Sequence, residues 1–79
     1  MDVLYIAASG PADPTRASIP WHLAVNGSIE SGQSLGILLA GDASEVLKPE
    51  VRDALEGLGL PRMSELQDKA RTHNVPVFV

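Results

Sequence analysis

The stretch SLGILLA, Ser34 to Ala40, decides the fold: it carries no charge, is too short for a buried helix and is closed by Gly41-Asp42. A continuous apolar run of this length between turn residues reads as a strand covered on both faces. Working outward, two further runs carry the same signature. Asp2 to Ala8 (DVLYIAA) is nearly unbroken apolar sequence rich in β-formers and ends at Ser9-Gly10-Pro11, and Val75 to Val79 (VPVFV) is the third run.

Between the first two runs, Asp13-Pro14-Thr15-Arg16 opens a helix, with Asp13 placed to accept from unpaired amides and Pro14 at the first helical position. The helix is expected from about Pro14 to Ser31, with Ala17, Leu23, Ala24, Gly27 and Ser28 as close contacts and Gly32 as its left-handed exit. Pro20 removes the amide that would bond the Arg16 carbonyl and predicts a bend. Past Gly41, Asp42 with Glu45 resembles a capping box over a short turn through Leu47. Pro49 opens a helix whose Val51, Ala54, Leu55 and Leu58 follow the spacing of one face, and Gly57-Leu58-Gly59-Leu60-Pro61 breaks it. A third helix from about Arg62 to His73 presents Met63, Leu66 and Ala70 and leaves through Asn74.

The order β-α-β-α-α-β, with crossovers far longer than hairpins, requires parallel strands. The expectation is one α/β domain over residues 1–79 with a three-stranded parallel sheet in the order 2-1-3, the first half of a doubly wound, flavodoxin-like sheet. Right-handed crossovers then put helices on both faces. Ligands of such sheets bind beyond the carboxyl ends of the strands.

Composition narrows the function classes. A chain of 79 residues buries only a little over ~60% of its unfolded surface. At 44% apolar residues it is too hydrophobic for disorder, and without cysteine or a metal-ligand cluster its remaining staple is oligomerisation. A net charge of −4 with no Lys/Arg cluster argues against nucleic acid and anionic membrane surfaces as partners. No apolar run approaches the ~20 residues of a membrane span, and the amino terminus lacks a basic region followed by an apolar core. With no cysteine, these features describe a cytoplasmic protein.

The succession of motifs carries a resemblance. A strand ending in Ser9-Gly10-Pro11 is followed by a helix opening Asp13-Pro14-Thr15-Arg16-Ala17 and carrying Pro20 and Leu23-Ala24. A Gly32 exit, Leu38-Leu39-Ala40-Gly41-Asp42, the Gly57 to Pro61 break, Ser64-Glu65-Leu66 and the run Val75 to Val79 come next. In this order they resemble the DsrE/DsrF-like family across the whole chain. That resemblance implies a small oligomeric protein related to intracellular sulfur transfer, in whose carriers the working cysteine follows the third strand. The matching position here would follow Val79, so the expectation is either a fragment or a shortened member without transfer activity. No side chain present replaces a thiolate as persulfide carrier.

Candidate site residues follow from topology. Ser9, Gly10, Thr15 and Arg16 surround the first strand's carboxyl end and the first helix's amino end, where free amides favour a small anion. The alternative is a tight turn and a capped helix, since neither GxGxxG nor GxxxxGK[ST] is matched. Gly41 and Asp42 are expected to face the same crevice, Asp42 more simply as a cap. Trp21, next to His22, is a candidate for a subunit contact together with the edge strand Val77, Phe78 and Val79. His22 reads as a solvated neighbour and His73 as a helix-terminus residue. No catalytic residue, metal site or cofactor is expected. A homo-oligomer or related subunit and a small anion are the expected partners, with a purely structural subunit as the alternative role.

Overall fold

The computed structural model, describing residues 1–79, turns the three apolar runs into three parallel strands: β1 (Val3–Ala7), β2 (Leu35–Leu39) and β3 (Val77–Phe78). Between β1 and β2 lies α1 (Pro14–Leu23), which continues into a π-helical turn over Ala24–Ser28. A 3-10 segment (Gly41–Leu47), α2 (Pro49–Ala54) and α3 (Met63–Thr72) link β2 to β3.

The strand order is 1-2-3, with β2 in the centre, and this corrects the expected order 2-1-3. Val3 to Ala7 pair with Leu35 to Leu39 on one side of β2, and Val77 and Phe78 pair with Ile37 and Leu38 on the other. Successive right-handed crossovers that advance in one direction lay their helices on one face; only a reversal of direction puts helices on both. Here the second crossover does not reverse. Met63, Leu66 and Ala70 of α3 join Ala17, Trp21, Ala24 and Val25 of the first crossover in a single core over Ala7, Leu35, Ile37 and Leu39. The expected two-sided cover is therefore replaced by a single helical layer.

Local chemistry explains most element ends. Asp13 caps α1 by accepting from the Arg16 amide at 3.1 Å, with Pro14 at the first position. Pro20 lies inside α1, and the departure from α winding begins further on, at Ala24. There the Ile29 amide reaches back five residues to the Ala24 carbonyl at 3.1 Å. The π turn places Ser28 against the sheet, 2.7 Å from the Tyr5 hydroxyl. Gly32 and Asn74 take left-handed conformations (φ 76° and 54°) at the two exits assigned to them.

Two local expectations fail. No Asp42 side-chain bond caps the 3-10 segment; Ser44 Oγ instead donates to the Gly41 carbonyl at 2.9 Å. Helix α2 stops at Ala54, because the Leu55 carbonyl accepts from the Met63 amide at 3.0 Å and so ties the chain to the start of α3. Leu58, expected on the apolar stripe of that helix, is left 90% exposed on the following loop.

Candidate functional site

The carboxyl ends of β1 and β2 do converge, and they meet in direct contact. A Cβ on Gly10 would lie 2.3 Å from the Asp42 carbonyl oxygen, so the two turns touch backbone to backbone and only glycine permits it. Ser9 is half-buried beside this contact, whereas Gly41 and the Asp42 side chain are exposed. None of the four cavities in the structure is lined by Ser9, Gly10, Arg16, Gly41 or Asp42.

The amino end of α1 is spent within the chain. Asp13 holds the Arg16 amide and lies 3.6 Å from the Arg16 guanidinium Nε, and the Ala17 amide donates to the Asp13 carbonyl at 2.9 Å. Thr15 departs from the group altogether. Its hydroxyl accepts from the Leu58 amide at 3.0 Å, clamping the Gly57 to Leu60 loop onto α1. That loop walls an open bowl with Pro14 and Thr15.

Sequence reasoning missed the free face of the sheet. Leu4 and Ile6 of β1 are 46% and 63% exposed, and Phe78 of β3 is 47% exposed. Ile6, Leu38 and Phe78 form one row across the three strands, with Leu4 and Gly36 in the row beside it. A Cβ on Gly36 would come within 2.8 Å of the Met1 methyl and 3.2 Å of the Phe78 ring, so those side chains fold over the dimple glycine leaves. No strand residue is charged, and the face is apolar throughout. Nothing in the alternation could have revealed it, since Val3, Tyr5 and Ala7 on the covered side are no more apolar than Leu4 and Ile6.

Trp21, expected at a subunit contact, is 2% exposed and belongs to the core of the single chain. Its indole Nε1 is buried with no acceptor in the chain. Val77 turns toward the helices but is still 36% exposed, and Phe78 and Val79 are exposed further. His22 and its neighbours form a surface tie: Asn26 bonds His22 Nδ1 at 3.1 Å and accepts from Lys69 Nζ at 2.9 Å, and Lys69 also donates to Glu30. That hydrogen bond, with the Lys69 charge behind it, holds the Glu30 carboxyl below its ordinary value of 4.5. His73 Nδ1 contacts the Lys69 carbonyl at the end of α3, as a terminus residue does. No group of three or more His, Asp or Glu side chains is placed to hold a metal ion. No helix is long and apolar enough to cross a membrane.

No family model, curated protein or solved structure matches this chain.

Proposed function

We propose that this chain is a homo-associating α/β domain whose open sheet face packs against a second copy, with a DsrE/DsrF-like ancestry and no carrier activity of its own. The observation that carries the reading is the uncharged row Ile6, Leu38, Phe78 with Leu4 beside it, in which Leu4, Ile6 and Phe78 are exposed and Leu38 half-buried, on the sheet face that no helix covers. Electrostatics selects the same face. Each copy bears −4, and the strands contribute no charge to this face, so two copies can meet here without like-charge contact between strand residues. The family ancestry rests on the order of motifs alone. An anion-binding module at the β1 and β2 ends has less support, because the Arg16 amide and Thr15 hydroxyl already have partners.

Covering half-exposed Leu, Ile and Phe side chains yields roughly 1 kcal/mol each, so four per copy give about 8 kcal/mol before association entropy is subtracted. Subtracting an association cost of at least about 4 kcal/mol leaves a weak interaction in the millimolar range. Sedimentation equilibrium over that range should show reversible dimers. Ile6→Lys and Leu38→Lys should return the mass to that of one chain without unfolding it. A wild-type monomer at millimolar concentration sinks the reading.

A further inference from the structure

The chain holds two methionines, and the fold treats them oppositely. Met63 opens α3 inside the core at 0% exposure, whereas Met1 is 65% exposed and reaches over the free face of the sheet. A Cβ on Gly36 would lie 3.0 Å from the Met1 Sδ and 3.2 Å from the Phe78 ring. Thioether and ring therefore flank the same dimple within about 6 Å of each other, close to the separation at which sulfur and an aromatic edge attract. Gly36 belongs to the central strand, so the sulfur sits in the middle of the face and not at its rim. Around it, Leu4, Ile6, Leu38 and Phe78 offer only hydrocarbon. The chain has no cysteine, which makes Met1 its one exposed sulfur-bearing residue.

We propose that Met1 is an oxidation site through which peroxides control the pairing of the open face; this rests on that face being the surface where two copies meet. The thioether lone pair attacks a peroxide oxygen, an S–O bond forms as the O–O bond breaks, and the departing oxygen leaves as water, or as an alcohol from an organic hydroperoxide. Sulfur loses two electrons, the peroxide gains them, and Met1 becomes the sulfoxide. In the free chain, water solvates the new oxygen. In the pair it is buried against Leu4, Ile6, Leu38 and Phe78, none of which has a side-chain donor to offer it. A two-fold contact repeats every residue, so the desolvation falls on both copies. Pairing in the millimolar range leaves most of the chain free at lower concentration, with Met1 open to the oxidant. Met63 is closed to the same reagent until the domain unfolds. A methionine sulfoxide reductase, whose own thiols supply the electrons, returns the thioether and with it the apolar face.

The test treats the whole chain with hydrogen peroxide under folding conditions and follows it by intact mass and peptide mapping. One oxygen should add at Met1 at least about tenfold faster than at Met63. Dilution followed by NMR across the millimolar range should then show the singly oxidised chain associating at least about tenfold more weakly than the reduced chain, and treatment with the reductases for both sulfoxide epimers should restore the original affinity. The single phenylalanine gives a readout independent of pairing: the Phe78 ring resonances should move on oxidation even in the dilute chain, while the indole resonance of the one tryptophan stays in place. Met1→Leu, released from a cleavable fusion, should make peroxide without effect on association. Met1→Gln, prepared the same way, should associate as weakly as the sulfoxide does. Undiminished pairing after full oxidation of Met1, preferential oxidation of Met63, or an unmoved Phe78 ring overturns the proposal and leaves the homo-association standing. A reduced chain that stays monomeric overturns both.

Discussion

On its helix side the sheet turns Ala7, Ile37 and Leu39 into a closed core; on its other side Leu4, Ile6 and Phe78, from the same sheet and just as apolar, meet solvent. The two faces do not differ in hydrophobicity. They differ in which way the second crossover ran, since a chain advancing from β1 to β2 to β3 spends all its helices on one layer. The covered face also carries a polar handle, with the Tyr5 hydroxyl on Ser28 Oγ, whereas the open face presents none. Burial in this protein is set by topology, and strand composition merely permits it.

The contrast is broken most severely by truncation. Ile37→Ala should cost about 2–5 kcal/mol, enough to unfold much of a small domain, while Leu38→Ala should cost under about 1 kcal/mol. Urea denaturation measures both, and a large Leu38→Ala loss that depends on protein concentration would show the open face covered in solution. Glycines sharpen the comparison next. Gly10→Ala drives a methyl into the Asp42 backbone and should lower stability by about 1–3 kcal/mol. Gly36→Ala meets only the movable ends of Met1 and Phe78, so its melting temperature should stay within a few degrees of wild type.

Tyr5→Phe tests the polar handle of the packed side. It strands Ser28 Oγ and should cost about 1 kcal/mol in the same denaturation assay. The smallest effect belongs to the exposed Glu30–Lys69 tie. Because folding depresses the Glu30 pKa, its contribution is present above the unfolded value of 4.5 and is lost as pH falls through the folded one. Glu30→Gln should therefore lower stability slightly near neutrality, where the pair is charged, and flatten the acid limb of the profile so that the two proteins converge at low pH. An unaltered acid limb would mean the pair does not persist in solution.

Strands, helix starts and exits were legible because they rest on local chemistry: Asp13-Pro14 at a helix start, Gly32 and Asn74 at exits, uncharged runs for buried ladders. Strand order was not legible. Both Asp2 to Ala8 and Ser34 to Ala40 read as central strands, and no local signal ranks them; the choice is made by long-range packing of Met63, Leu66 and Ala70. The candidate crevice was half legible. Topology brought Gly10 and Asp42 together, yet their separation depends on backbone approach that residue types do not report. Trp21 was read as a contact residue for its size, and size equally suits the centre of a small core.

The π-helical turn at Ala24–Ser28 winds one residue more into its rise than an α-helix needs. The chain thus carries a spare link at this point, and shortening it by one residue would let the turn relax to ordinary winding with Trp21 and Ile29 still in phase. Length variation should be tolerated here and refused in α3, where removing one residue rotates Leu66 away from Ala70. Paired single-residue deletions, compared by far-ultraviolet circular dichroism, would contradict this account if both folded equally well.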